Sequence, residues 1–221
     1  MENHDSRKRF AARLALLLAG LAVMAFGVAL SIKAELGTSP ISSLPYVTAV
    51  ISGLSVGTTT IIVNSLFVLI QIILLRRNYE WFQLLQIGIA VVFGMMIDLF
   101  GLRLEPVAAG NYAVQWLLCA GGIVFVALGI SIEVAANLVP TAGEGLVLAV
   151  CQVTPFKFGN MKVALDVTLV VLSVAAGFIF LGRLEGVREG TVAAALLLGQ
   201  VSKIFSRYLV GLRKKLGTEV D

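Results

Sequence analysis

Six apolar stretches, residues 11–32, 58–75, 82–102, 114–135, 161–181 and 192–210, each come near the roughly 20 residues that cross a 30 Å hydrocarbon core. Each predicts a transmembrane helix. Two shorter apolar pieces, 40–53 and 141–153, fall between the first and second spans and between the fourth and fifth. They are too short to cross. No water is available in hydrocarbon to satisfy a loose backbone, so they are expected to be re-entrant half-helices buried among the spans, or helices lying at the interface. Both follow a turn marked by proline, at Pro40 and Pro140.

The two halves of the pattern answer each other. "GVALSIKAELGTSPISSL" from Gly27 aligns without a gap on "GISIEVAANLVPTAGEGL" from Gly129. In the same register Gly20, Ala25, Ala34, Leu36, Leu44, Gly57 and Val68 meet Gly122, Ala127, Ala136, Leu138, Leu146, Gly159 and Val170. After a shift of three residues the match resumes, with Ala90, Gly94 and Phe100 facing Ala195, Gly199 and Phe205. Self-similarity of this kind is the mark of an internal duplication. It divides one membrane domain into a first repeat, 1–106 with half-helix 40–53, and a second, 107–221 with half-helix 141–153. Three spans per repeat is an odd number, so the second copy enters the membrane upside down. The predicted fold is all-α, six transmembrane helices in two inverted three-helix repeats. Short, Gly- or Pro-interrupted segments at matching places in such repeats point to a midplane binding site in transporters.

Composition agrees with a bilayer protein: 58% of the 221 residues are hydrophobic, 14% are charged, and the mean hydropathy is +0.96. A soluble domain of this size cannot bury so much apolar surface. The first span follows the basic Arg7, Lys8 and Arg9, but it is longer than the apolar core of a signal peptide and more spans follow it. With the N-terminus in the cytoplasm, only Lys33, Arg103, Arg183 and Arg188 of the Lys and Arg residues fall outside. The positive-inside rule therefore predicts a multi-pass protein of the bacterial inner membrane with both termini cytoplasmic.

Several chemistries have no residues to support them. His4 is the only histidine and lies in the polar leader, and Cys119 and Cys151 have no metal or disulfide spacing. No metal, cofactor or His-based catalysis is expected, so the chain is read as a non-enzyme. A net charge of +4 without an aromatic-basic module gives no case for nucleic acid. The expected partners are the lipid bilayer, a small solute of unknown identity and a coupling proton, with a homo-oligomer compatible with the sequence. The charged turn from Arg183 to Glu189 reads as a solvated loop, and the basic tail from Arg207 to Lys215 as an orientation and lipid-contact signal.

The working residues are sought where the repeats leave polar groups. Thr38, Ser39 and Ser42 surround the Pro40 start of the first half-helix, where Thr38 or Ser39 can cap it. Thr141 and Glu144 have the T-x-x-E spacing of a capping box at the second. These residues can simply finish helix ends, or they can present the positive ends of two half-helices to an anionic or polar solute. Asn64 and Asp166 correspond in the repeat and lie inside spans, where an ionisable group is expensive. Asp166 is the first candidate for a proton or cation site, set against a plain ion pair with Lys162 one turn earlier. Asp98 and Lys203 also match but lie nearer helix ends, where snorkelling or pairing is expected, and rank second.

"LGTSPISSLPYV" at 36–47, "GEGLVLAV" at 143–150 and "VREGTVAAALLLG" at 187–199 resemble the YczE/YyaS/YitT group of bacterial integral membrane proteins, above all its YczE branch. The resemblance covers nearly the whole chain. It implies a polytopic inner-membrane protein, carries over no catalytic residue, and matches the group's Gly-Thr-Ser-Pro with Gly37 to Pro40 and its Glu-Gly with Glu144 and Gly145. The expected activity is secondary transport or export of a small polar or amphipathic solute, coupled to protons. The competing expectation is an accessory membrane protein that supports a biosynthetic or export complex and moves nothing. A polar cavity reaching Asp166, Glu144 and Asn64 separates the two, because a scaffold does not need one.

Overall fold

The computed structural model describes the backbone of residues 2–216 and the side chains of residues 10–209. The side chains of His4, Arg7, Lys8, Arg9, Arg213, Lys214 and Lys215 lie outside the described set. Among the described residues the secondary structure is entirely helical: α1 (Glu2–Lys33), α2 (Pro40–Ser52), α3 (Val56–Leu75), α4 (Leu85–Arg103), α5 (Tyr112–Ala136), α6 (Ala142–Val153), α7 (Phe158–Ala176) and α8 (Glu189–Leu216). A π-helical turn, Gly177–Leu181, extends α7.

This is an all-α membrane protein. Among the described residues five helical stretches are long and apolar enough to cross a bilayer: Phe10–Lys33, Val56–Asn78, Trp81–Arg103, Tyr112–Ala136 and Phe158–Leu181. They coincide with the first five expected spans. The sixth, 192–210, lies within α8 but does not reach the same hydropathy, because Gln200, Ser202, Lys203, Ser206 and Arg207 interrupt its second half. Five spans are thus supported by length and composition, and not six. The short pieces are helices of 13 and 12 residues, α2 and α6, which at about 1.5 Å per residue reach less than 20 Å and cannot cross.

Local signals set the ends. Pro40 occupies the first turn of α2, where its missing amide costs nothing, and Gly53 closes that helix in the left-handed region. The Ser55 hydroxyl accepts the Thr58 amide at 3.1 Å to start α3, and the Asn111 side chain accepts the Val114 amide at 2.9 Å to start α5. Glu35 (φ 56) and Asn137 (φ 45) turn the chain out of α1 and α5.

The centre of the fold is an antiparallel crossing of α1 and α5. A side chain at Gly27 would meet the Gly122 carbonyl and Val126, and one at Gly20 would meet the Gly129 carbonyl and the Glu133 amide. Glycine at these positions lets two backbones touch, which is how membrane helices gain packing when lipid supplies no hydrophobic drive. Around this pair α4 packs on α1 and α8 on α5, α2 packs on α7 and α6 on α3, and α3 packs on α4. Among the described residues α7 has no comparable packing against α8.

Candidate functional site

The starts of α2 and α6 meet inside the bundle, with Ile41 packed against Gly143, where any side chain would collide with it. Beside them lies a cavity of about 360 Å³, walled by α1, α3, α4, α5, α7 and α8 as well. Much of its wall is apolar, including Met24, Phe67, Phe93, Ile130 and Leu198. The structure places Ser39, Ser42, Asn64, Thr141, Glu144 and Asp166 on that one wall. Thr38, Asp98 and Lys203 do not line it.

Thr38 is tied elsewhere, its amide bonding the Gly186 carbonyl at 3.0 Å. Asp98 caps α3 instead, accepting the Gly57 amide at 2.7 Å and the Ser55 hydroxyl at 2.6 Å. Lys203 is exposed on α8.

Neither half-helix is capped as its sequence suggests. Ser39 has the extended backbone of an N-cap but bonds Ser42, Oγ to Oγ at 3.1 Å, instead of an amide of the first turn. Thr141 also makes no side-chain cap, and Glu144 does not reach back to the Thr141 amide. Glu133 takes that amide, through Oε1 at 3.0 Å. The capping box fails because a carboxylate from α5, fixed by the α1–α5 crossing, already occupies its place. Glu144 is left facing the cavity, with no hydrogen bond to its carboxylate among the described residues.

Asp166 is paired: Lys162 Nζ donates to its Oδ1 at 2.8 Å, one helical turn away. Lys162 also attracts Glu144, and Glu144 repels Glu133. Of the charged residues on the wall, Glu133, Glu144, Lys162 and Asp166, only Lys162 and Asp166 are within ion-pair distance among the described residues.

Sequence reasoning overlooked Glu133, an acid near the end of an otherwise apolar span and only 4% exposed. Its position alone was the available signal, since an ionisable group inside a span is a functional candidate by default. Gln71 and Gln86 were overlooked as well. Both are fully buried, with Gln71 Nε2 donating to Gln86 Oε1 at 2.9 Å and to the Ala142 carbonyl at 3.1 Å. A side chain at Gly145 would strike both amides, so the glycine of the Glu144-Gly145 pair makes room for a polar bridge from α3 and α4 to α6.

Across residues 11–207 the sequence matches DUF6198, a family of unknown function. The chain belongs to this family. It is 26% identical over 184 residues to the uncharacterized membrane protein YczE of Bacillus subtilis, covering 83% of this chain and 80% of that protein. It is also 27% identical over 132 residues to the uncharacterized protein YyaS of the same organism, covering 59% of this chain and 64% of that one. The YczE-type resemblance carried by Gly37 to Pro40, Glu144 and Gly145 thus holds at the level of the whole sequence. No solved structure gives a significant match. In this DUF6198 member Ser39, Pro40 and Glu144, among the residues that carry the resemblance, line the cavity at the starts of α2 and α6.

Proposed function

We propose that the protein is a secondary transporter or exporter of a small polar or amphipathic solute, built from two inverted three-span repeats with a half-helix in each. The observation that carries this reading is the cavity itself: the tips of both half-helices border it, and Asn64, Glu144 and Asp166 share its wall. A passive scaffold has no use for ionisable groups at that depth.

The contacts support the inverted repeat. In the register that pairs Gly27 with Gly129, the contact of Gly27 with Gly122 exchanges with that of Gly129 with Gly20. Val126 against Gly27 likewise exchanges with Met24 against Gly129. The Ser43–Ser173 hydrogen bond, 2.9 Å, stands where the other half has Gly145 against Gln71. Glu35 and Asn137, the left-handed ends of α1 and α5, correspond, and each carbonyl receives an arginine, from Arg188 and Arg13 respectively. Helices that are antiparallel and exchange contacts in this way are related by a two-fold axis across them, which for spanning helices lies in the membrane plane. Ile41 and Gly143, the contact between the tips, correspond to each other and so sit on that axis.

On this reading α8 is the sixth crossing, both termini are cytoplasmic and the membrane is the bacterial inner membrane. The Asp98 end of α3 and α4 then faces outward, and the Lys203 end of α7 and α8 faces the cytoplasm. A proton is the coupling ion that the wall carboxylates serve. Flux in proteoliposomes, screened over a metabolite panel under an imposed proton gradient, tests this. Asp166→Asn is expected to abolish gradient-driven movement in a well-folded protein. Normal coupled flux in that variant would remove Asp166 from the coupling, and gradient-independent behaviour of the unaltered protein across the panel would leave the accessory role.

A further inference from the structure

The charge on the cavity wall selects among solutes. Among the described residues Glu133 on α5, Glu144 on α6, and Lys162 and Asp166 on α7 are the charged residues lining it; the described side chains of α1, α2, α3, α4 and α8 present none there. That is an excess of two negative charges when all are ionised. The two half-helix N-termini contribute roughly half a positive charge each, so about one negative charge remains uncompensated.

An uncompensated charge in a largely apolar site is strongly unfavourable, and it is relieved by a proton or by a cation. Glu133 makes the demand specific. It is 4% exposed, one of its oxygens holds the Thr141 amide, and the other has no partner among the described residues although the side chain lines the cavity. Among the described residues no group of three or more His, Cys, Asp or Glu side chains could hold a metal ion, and much of the wall is aromatic and aliphatic, which suits an organic body better than a hydrated inorganic ion. A volume of about 360 Å³ is at the lower end of small-molecule sites.

We propose that the cavity binds a small monovalent organic cation with an apolar body, its positive group held by Glu133 and Glu144 and its body against Phe67, Phe93 and Ile130. This deepens the transport reading and rests on it only for movement across the membrane; binding stands alone. Protons and the cation compete for the same carboxylates, so the cation binds more weakly as pH falls and its binding releases protons.

Three probes with the same ring separate the possibilities: benzyltrimethylammonium, whose charge is fixed, benzenesulfonate and benzyl alcohol. Their binding to the full-length protein in nanodiscs is measured by calorimetry between pH 5 and 8. The cation is expected to bind and the other two are not. Its affinity should fall with decreasing pH, and binding heats should vary with buffer ionisation enthalpy as protons leave. Glu133→Gln keeps an acceptor for the Thr141 amide and should weaken the cation at least about tenfold, as should Glu144→Gln. Lys162→Gln should tighten it, which a merely structural role of these residues does not produce. Preference for benzenesulfonate, or cation binding indifferent to pH and to all three substitutions, overturns the proposal. If Glu133→Gln does not fold, the pH series on the unaltered protein and Glu144→Gln decide it. Cation binding without flux in proteoliposomes supports this inference and overturns transport; flux of an anion does the reverse.

Discussion

In the sequence register that pairs Gly57 with Gly159 and Gly94 with Gly199, the helix pairs α3–α4 and α7–α8 correspond, and their packing is opposite. Gly57 and Gly94 bring α3 and α4 into backbone contact, and Asp98 from α4 caps the first turn of α3. Their counterparts Gly159 and Gly199 have nothing where a side chain would go. The α7–α8 gap is not a loss of the residues that permit closure, since the glycines are there. It is a difference in conformation between two similar sequences, and the cavity extends into it, with Lys162, Val163 and Asp166 on one side and Leu198, Gly199 and Ser202 on the other. In a transporter of two inverted repeats, access to the site switches when the halves exchange conformations. On that view the structure is the state open between α7 and α8, toward the cytoplasm, and the opposite state closes Gly159 onto Gly199 while α3 leaves α4.

The comparison breaks most readily at the glycines. Gly57→Leu or Gly94→Leu forces a side chain into a packed backbone and is expected to cost about 1–3 kcal/mol or more, read as a lowered thermal midpoint of the purified protein. Gly159→Leu and Gly199→Leu meet open space and should leave that midpoint nearly unchanged. All four should nonetheless impair flux, the first pair by weakening the closed side and the second by preventing closure of the open one. Equal destabilisation at Gly57 and Gly159 would mean that α7 and α8 are packed in the membrane and that the asymmetry is not a resting state.

These glycine pairs show what the sequence made legible. Gly57 with Gly159 and Gly94 with Gly199 can be paired from the sequence, at offsets that differ by three residues, because matching identities needs no coordinates. The half-helices were legible too, from the length of their apolar runs and from Pro40. What could not be read was which glycines are in contact, because both helix pairs carry glycine and only α3 and α4 bring theirs together. The Glu133–Glu144 pair was hidden for a related reason. Its members come from different helices, and Glu133 reaches the α6 tip through the short turn after α5, its Oε1 taking the Thr141 amide, with Gly20 of α1 against its backbone. The T-x-x-E spacing at Thr141 described a real helix start but named the wrong carboxylate as its partner, since a local pattern takes no account of a side chain arriving from another element.

A second test follows the exchange itself. Ser55 and Asp98 are in hydrogen-bond contact at 2.6 Å, whereas their counterparts Lys157 and Lys203 form no bond with each other among the described residues. In a background carrying Cys119→Ala and Cys151→Ser, the pair Ser55→Cys with Asp98→Cys should oxidise readily to a disulfide in the resting protein. The pair Lys157→Cys with Lys203→Cys should do so several-fold more slowly, and faster when a transported solute is supplied on both sides. A disulfide needs Cα atoms within about 7 Å, so the slow pair reports the population of the closed form. Equal rates for the two pairs, unaffected by solute, would rule out the exchange.

The smallest expected effect isolates the Asp98 cap, a polar contact between α4 and the start of α3 that has no equivalent between α7 and α8 among the described residues. Asp98 satisfies the Gly57 amide and the Ser55 hydroxyl together, so it joins α4 to the start of α3 by charge-assisted bonds. Its counterpart Lys203 cannot do this at the start of α7, because an ammonium has no lone pair to offer an amide and is repelled by the positive helix end. If the two halves exchange conformations, the closed sides of the two states are therefore not equally stable, and the Asp98 side is favoured. Asp98→Ala should cost about 1 kcal/mol, as loss of an N-cap does, while Lys203→Ala should change stability by less than about 0.5 kcal/mol. The same loss should shift the resting equilibrium, so that the Lys157–Lys203 cysteine pair oxidises faster once Asp98 is alanine. If Asp98→Ala lowers stability and leaves that rate unchanged, the cap stabilises a helix end without biasing the exchange.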